Sequence, residues 1–228
     1  MGSLFSILKQ TTLVITTSVM LGGHLPKAIA GDPFRQTDAR AISDQTESVF
    51  EAMFMAGDYQ QAATMLADIN ENADPLAYAL KASIAYTEQD WNGLKTAAQQ
   101  TLRAAEPLEQ SDPLRHNLYL AVGHFLEGTY LFQRKDSFRV FQKLQTVFRY
   151  LDQAENHNPD DPELNVIKGY LDLMLAVNLP FFQTEQAIAR FETHARPSYL
   201  VNRGLAIAYR DLEEYEKAQT AVNKAINA

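Results

Sequence analysis

Ala154-Glu-Asn-His-Asn-Pro159-Asp-Asp-Pro162-Glu163 ends one helix and starts the next. Leu151 and Ala154 close an apolar pattern of helical spacing, Asn156 and Asn158 weaken it, and Pro159 cannot continue it. Proline lacks the amide hydrogen and collides with the preceding turn. Asp161 then offers a carboxylate to the free N–H groups of a new helix, and Pro162 takes the first helical position, where its missing donor costs nothing. Glu163 complements the positive end of the new helix dipole. A chain built from such joints is a series of helices packed side by side.

Working outward from this joint, residues from Ala41 onward place apolar side chains three and four apart, with proline at the joints and no alternating strand pattern. The expected fold class is all-α. A second signal repeats along the chain: Gly57-Asp58-Tyr59-Gln60-Gln61-Ala62 is answered by Gln89-Asp90-Trp91-Asn92-Gly93-Leu94 and by Glu213-Glu214-Tyr215-Glu216-Lys217-Ala218. In each, an aromatic residue opens the second helix of a pair, and a small or apolar residue three positions on lets the first helix approach. Leu66 and Ile69, Ala98 and Thr101, and Val222 and Ala225 extend the same buried stripe. Self-similarity at this period predicts stacked helix pairs.

These residues resemble the tetratricopeptide-repeat family, a helix-turn-helix unit of about 34 residues. The best-matched motifs are Gly57-Asp58-Tyr59-x-x-Ala62, then Ala154 through Pro159-Asp-Asp-Pro162 to Gly169, and Tyr209 followed by Tyr215-x-x-Ala218. Over residues 43–228 the resemblance implies a right-handed α-solenoid of about five units, starting near Ser43, Pro75, His116, Pro162 and Tyr199. The family's first-helix tryptophan is absent. Unit three carries an insertion of about a dozen residues against the family period, and unit four a longer turn around Pro180, so both are degenerate. The resemblance also implies a concave groove lined from the first helix of each pair. In unit one its positions fall on Asp44, Glu47, Glu51, Phe54 and Met55. In units two to four they include Tyr86, Asn117, His124, Glu127, Tyr170 and Met174, and in unit five Arg203, Arg210 and Asp211. Such a groove would be acidic at one end and basic at the other, suiting an extended peptide laid in one direction. The stretches 112–128 and 168–180 are similar to exported cyanobacterial proteins that contain these repeats, which implies the periplasm or thylakoid lumen.

The first thirty residues read as an export signal peptide. Lys9 supplies a positive start, residues 11–23 are uncharged and largely apolar, and Ala28-Ile29-Ala30 is a small-x-small cleavage site. Residues 13–21 fall far short of the roughly 20 apolar residues of a membrane span. Cleavage after Ala30 leaves a loose polar leader over 31–42, then the repeat domain over 43–228. The net charge of −8 argues against nucleic acid and against an anionic membrane as general partners. With no cysteine there is neither a disulfide nor a thiolate metal site.

Residues 118–132 and 170–182 are apolar nearly all round and read as central core. His124 and Glu127 interrupt the first, and Asp172 and Asn178 the second, so neither is a membrane span. His124 and Glu127 share a helix face, yet zinc takes three or four protein ligands, and His116, His157 and His194 have no matching spacing. A histidine satisfied by the nearby carboxylate is the expectation. No phosphate loop, His-Glu-x-x-His, Gly-x-Ser-x-Gly or cysteine nucleophile is present, so no catalytic residue, metal or cofactor is expected.

In an acidic chain, Arg134, Lys135, Arg139, Lys143 and Arg149 form a basic patch with only Asp136 and Asp152 nearby. It reads either as a solvated face or as a dock for an acidic partner or anionic headgroups. The function this points to is a non-enzymatic protein- or peptide-binding scaffold or assembly factor outside the cytosol. The reading from another class is an exported helical solute-binding protein, or accessory hydrolase domain, with a pocket between the apolar helices of units three and four. Val222 and Ile226 on the last helix lack a capping helix, which predicts self-association there or coverage by a partner.

Overall fold

The computed structural model describes residues 31–35, 37–69, 74–178 and 183–228. The export signal lies outside the described residues, as does Pro180. Within them the chain is all-helical, as its periodicity predicts. The ten helices are α1 (Asp44–Phe54), α2 (Tyr59–Ala67), α3 (Pro75–Thr87), α4 (Trp91–Ala105), α5 (Pro113–Gln133), α6 (Ser137–His157), α7 (Pro162–Asn178), α8 (Thr184–Thr193), α9 (Ser198–Asp211) and α10 (Tyr215–Ile226). A short 3-10 turn, Glu106–Leu108, follows α4. The helices form five successive hairpins, α1–α2 through α9–α10, and α4 packs as extensively on α5 as on its own partner.

Local chemistry sets each start and stop. Asp58, Asp90 and Asp136 cap the second helices of their hairpins, accepting from the N–H groups of Gln61, Gly93 and Arg139 at 2.8, 2.9 and 3.2 Å. Just before each cap the chain enters the left-handed region, at Gly57 (φ 67°), Gln89 (60°) and Lys135 (59°), and again at Glu213 (61°). The next N–H reaches back to the first helix: Asp58 to Ala52, Asp90 to Ala85, Asp136 to Leu131 and Glu214 to Tyr209, at 2.8 to 3.1 Å. This is the left-handed helix terminus that satisfies orphaned carbonyls. Four of the five hairpins therefore share one turn; that of α7–α8 includes undescribed residues.

Two expectations are corrected, the start of unit three and the looseness of the leader; the extra length of unit three is present. Its turn at Lys135-Asp136 matches the others, its first helix starts at Pro113 instead of His116, and the extra length lies in two 21-residue helices. Each is about 31 Å long, against about 22 Å for the neighbouring α4. The leader over 31–42 is not loose. Phe34 and Ile42 are buried, and the Phe34 ring meets Phe50 edge-on at 5.2 Å, so two apolar anchors override the segment's polar composition. Helices from the first and the last hairpin also meet: the Phe50 ring of α1 and the Tyr199 ring of α9 lie 6.4 Å apart in one cluster of buried and partly buried side chains.

The core follows the apolar stripes. Leu118, Leu151 and Leu164 are almost wholly buried in a cluster joining α5, α6 and α7. Phe191 of α8 is wedged between Gly169 of α7 and Gly204 of α9. A Cβ at either glycine would fall 2.7 or 2.4 Å from the ring, so these positions demand glycine for close approach.

Candidate functional site

The hairpin α5–α6 carries charge to both of its ends. At the base, α3, α5 and α7 each begin with Asp-Pro, and Asp74, Asp112 and Asp161 cap their own helices through the N–H groups of Leu76, Arg115 and Leu164. Their outer oxygens then meet arginines. Arg115 grips Asp74 with both terminal nitrogens, at 2.7 and 2.9 Å, and donates from Nε to Glu163 at 3.2 Å. Arg40, from the packed leader, donates to Glu163 at 2.6 Å and pairs with Asp112 at 2.6 Å and Asp161 at 3.3 Å. Arg35 pairs with Asp161 and, at 3.0 Å, with Asp32. The Tyr119 hydroxyl donates to Glu163 at 2.5 Å.

Carboxylates outnumber guanidinium groups in this cluster, and the positive ends of three helices offset the excess. Burial, then the Glu163 charge, push the Tyr119 hydroxyl well above its ordinary range, so it remains a donor. Burial by itself would lower the Arg115 guanidinium, but Glu163, Tyr119 and Asp74 more than offset it and raise it. For Arg40 burial wins and the shift is downward, despite Glu163. Among the described residues every charge of the cluster has a partner, and the arrangement is a clamp that ties the leader to the starts of α5 and α7, with the start of α3 joined through Arg115.

The opposite end of the hairpin is open. His124 Nδ1 lies 3.1 Å from Glu127 Oε2 and 3.1 Å from Lys143 Nζ, and Lys143 also pairs with Glu127. The His124 ring stacks on Tyr150 at 5.6 Å and 15°. The hydrogen bond from His124, followed by Lys143, holds the Glu127 carboxyl below its ordinary range against the opposing effect of burial. Beyond this triad lies a cleft of about 500 Å3. Lys95, Glu127, Tyr130 and Leu131 form one wall, and Arg134, Asp136, Arg139 and Lys143 the other. Phe138 and Phe141 of α6 do not line it, and they are 72% and 59% exposed.

The structure thus joins two groups of residues that the sequence kept apart. Arg134, Arg139 and Lys143 of the basic patch share the cleft with Glu127 of the supposed groove, and His124 adjoins it. Lys135 sits in the turn, and Arg149 lies away from the cleft, its guanidinium over the Tyr150 ring at 4.8 Å. His124 is satisfied by Glu127, as its spacing predicts.

The remaining groove positions differ in burial and in contacts. Asp44 is exposed, whereas Glu47 is 9% exposed and accepts the Gly31 N–H at 3.0 Å. Phe54 packs on Phe50 at 4.9 Å, and Tyr86 on Trp91 at 6.0 Å. Asn117 donates to Pro113 O of its own helix at 2.7 Å. The Tyr170 hydroxyl donates to Leu200 O at 2.8 Å and is pushed up to about 12 by burial. Met174 is 37% exposed, Arg203 is exposed, and Arg210 pairs with its neighbour Asp211 at 2.6 Å. Glu51 and Tyr170 act on the Tyr199 hydroxyl and Arg203 on the Tyr170 hydroxyl, so groove positions of units one, four and five come together.

Val222 and Ile226 on α10 are 43% and 77% exposed. Among the described residues no group of three or more potential ligands could hold a metal, and no helix is long and apolar enough to cross a membrane. No protein-family model, curated protein or solved structure matches the chain.

Proposed function

We propose that this chain is a non-enzymatic protein-binding scaffold of tetratricopeptide-like, right-handed solenoid design, acting outside the cytosol. Its docking surface is the α5–α6 tip, and the partner presents an acidic segment with apolar side chains. The observation that carries this reading is the exposure of Phe138 and Phe141 beside Arg134, Lys135 and Arg139, in a chain of net charge −8. Aromatic residues and arginine are the side chains that anchor protein interfaces. The rest of the chain is acidic on balance, so charge favours the approach of an acidic segment at this basic tip. The export motif at the start of the sequence supports a location outside the cytosol.

Fluorescence anisotropy tests the reading with a labelled synthetic peptide that alternates glutamate with leucine and phenylalanine, and with its lysine counterpart. The acidic peptide should bind, most tightly at low salt, and the lysine peptide should not. Phe138→Ser with Phe141→Ser, or Arg134→Glu with Arg139→Glu, should weaken binding at least about tenfold, the loss of roughly 1.4 kcal/mol. Equal affinity in all variants overturns the tip as the site. The cleft falls in the size range of small-molecule pockets, which favours the solute-binding alternative as the second reading. A thermal shift with small anions that survives both Phe substitutions would select it. The uncovered Val222 and Ile226 support pairing of two copies through α10, which sedimentation at rising concentration checks.

A further inference from the structure

Glu47 and Glu51 lie one turn apart on α1, the first buried and the second half-buried. Among the described residues neither is ion-paired with a lysine or arginine. The groups that act on Glu51 are burial and Glu47, both raising its carboxyl above the ordinary range. Tyr199 of α9 faces Glu51 and supplies no positive charge. Elsewhere in this fold, buried carboxylates are matched by arginines, as at the base of α5. Among the described residues the hydrogen-bond donor reaching this acidic pair is the backbone nitrogen of Gly31, 3.0 Å from Glu47 Oε2. In the sequence, Gly31 directly follows the small-x-small motif Ala28-Ile29-Ala30. From Gly31 onward the leader is anchored, with Asp32 and Phe34 buried and Arg35 and Arg40 in the ion cluster.

We propose that Gly31 is the N-terminal residue of the working protein, and that its ammonium, made by hydrolysis of the Ala30–Gly31 bond, docks on Glu47 as the missing cation of this acidic pair. A peptidase of the signal-processing class consumes one water. The C–N bond breaks, Ala30 leaves as a carboxylate, and the Gly31 nitrogen takes the protons to become an ammonium. The new charge upgrades a neutral N–H contact to a charge-assisted one, which is about twice as strong. It also pins the start of the leader, whose Arg40 clamps the starts of α5 and α7. The inference rests on reading residues 1–30 as an export signal.

An ammonium held by a carboxylate titrates above the ordinary α-amino range of about 7.7–8.0. Its stabilisation is complete below that range and is lost as pH rises through the folded-state value. The charged group it meets is Glu47; Glu51 lies one turn further along α1 beside Tyr199, and in the leader Asp32 is held by Arg35.

Two measurements separate this inference from the export reading. The full chain is expressed in a bacterium, and the intact mass of the periplasmic product is read. It should begin at Gly31, and Ala30→Leu should block processing. Full-length chain retained in the cytosol sinks the export reading and this inference together. Exported protein that begins elsewhere sinks this inference alone. In vitro, protein beginning at Gly31 with a free amine is compared with the same protein N-acetylated, each with Glu47 and with Glu47→Gln. Acetylation should lower the melting midpoint by about 2–4 °C at pH 7 with Glu47 present, by nothing measurable with Glu47→Gln, and by nothing at about pH 10. Glu51→Gln, which does not touch Gly31, serves as the variant that should retain part of the effect. Equal midpoints for free and acetylated protein, or an equal loss with Glu47→Gln, overturn the docked ammonium.

Discussion

The base and the tip of the α5–α6 hairpin are made of similar side chains, arginines, acids and aromatic rings, yet they are in opposite states. At the base, Arg115 and Tyr119 are 3% and 1% exposed and Glu163 is inaccessible. At the tip, Phe138 and Phe141 are largely exposed and Arg139 pairs only with Asp136, at 3.0 Å. Composition does not separate the two ends; neighbours do. The base receives the starts of α3 and α7 and the packed leader, whereas the first turns of α6, which carry Phe138 and Phe141, contribute no buried side chain. A helix start without a covering neighbour keeps its apolar and cationic groups in water, which is the state a docking surface needs.

The largest effect that would break this comparison lies at the base. Glu163→Ala leaves Arg40, Arg115 and the Tyr119 hydroxyl facing an empty position. It should cost about 3–5 kcal/mol in urea unfolding, the penalty for leaving one side of a buried pair unmatched. A cost below about 1 kcal/mol would make the cluster an ordinary surface network. Next comes the apolar half of α6. Leu151, 2% exposed, meets α5 and α7, and Leu151→Ala should cost about 2–5 kcal/mol. An intact unfolding midpoint in that variant would mean that the lower half of α6 is as loosely held as its tip.

How much of this was legible in the sequence depended on distance along the chain. The joint at Pro159 and Pro162 and the turns at Gly57, Gln89 and Glu213 are local, and each is where the pattern puts it. The turn at Lys135 was hidden because Ser137 stands where the other hairpins have an aromatic residue, so two long helices read as an insertion. His124 and Glu127 share a helix face and could be paired from sequence, but Lys143, on the next helix, could not. The base was invisible for the same reason: Arg40 meets Glu163 across 123 positions. The repeated Asp-Pro at 74–75, 112–113 and 161–162 was the signal available, since three identical helix starts in one stack bring three carboxylates close together. The contact of Phe50 with Tyr199 has no such signal.

A smaller effect sharpens the comparison at the inner edge of the tip. The Glu127 carboxyl is held below its ordinary range, first by His124 and then by Lys143. A depressed carboxylate stabilises the fold above its unfolded value, about 4.3, and that contribution is lost as pH falls through the folded value. Glu127→Gln should therefore be less stable than the parent at pH 7 by no more than about 1 kcal/mol, because the triad is partly exposed. The two proteins should converge near pH 3. Urea midpoints measured at both pH values check this. A gap that persists at pH 3 would assign the loss to packing instead of charge.

The smallest stability change is expected where the side chains are largest. Phenylalanine removed from a core costs about 3–5 kcal/mol, because both the transfer from water and the packing are lost. Phe138 and Phe141 keep most of their surface in water, 72% and 59%, so neither term applies in full. Phe138→Ser and Phe141→Ser should each move the folding free energy by no more than about 0.5 kcal/mol, as for other exposed positions. The same substitutions should weaken the acidic peptide at least about tenfold. Stability and binding would then separate at the tip, whereas any substitution in the base cluster lowers the two together by unfolding the scaffold. A loss above about 1 kcal/mol at Phe141 would mean that its ring is covered by the protein's own chain in solution. The tip would then belong to the core, and the contrast with the base would disappear.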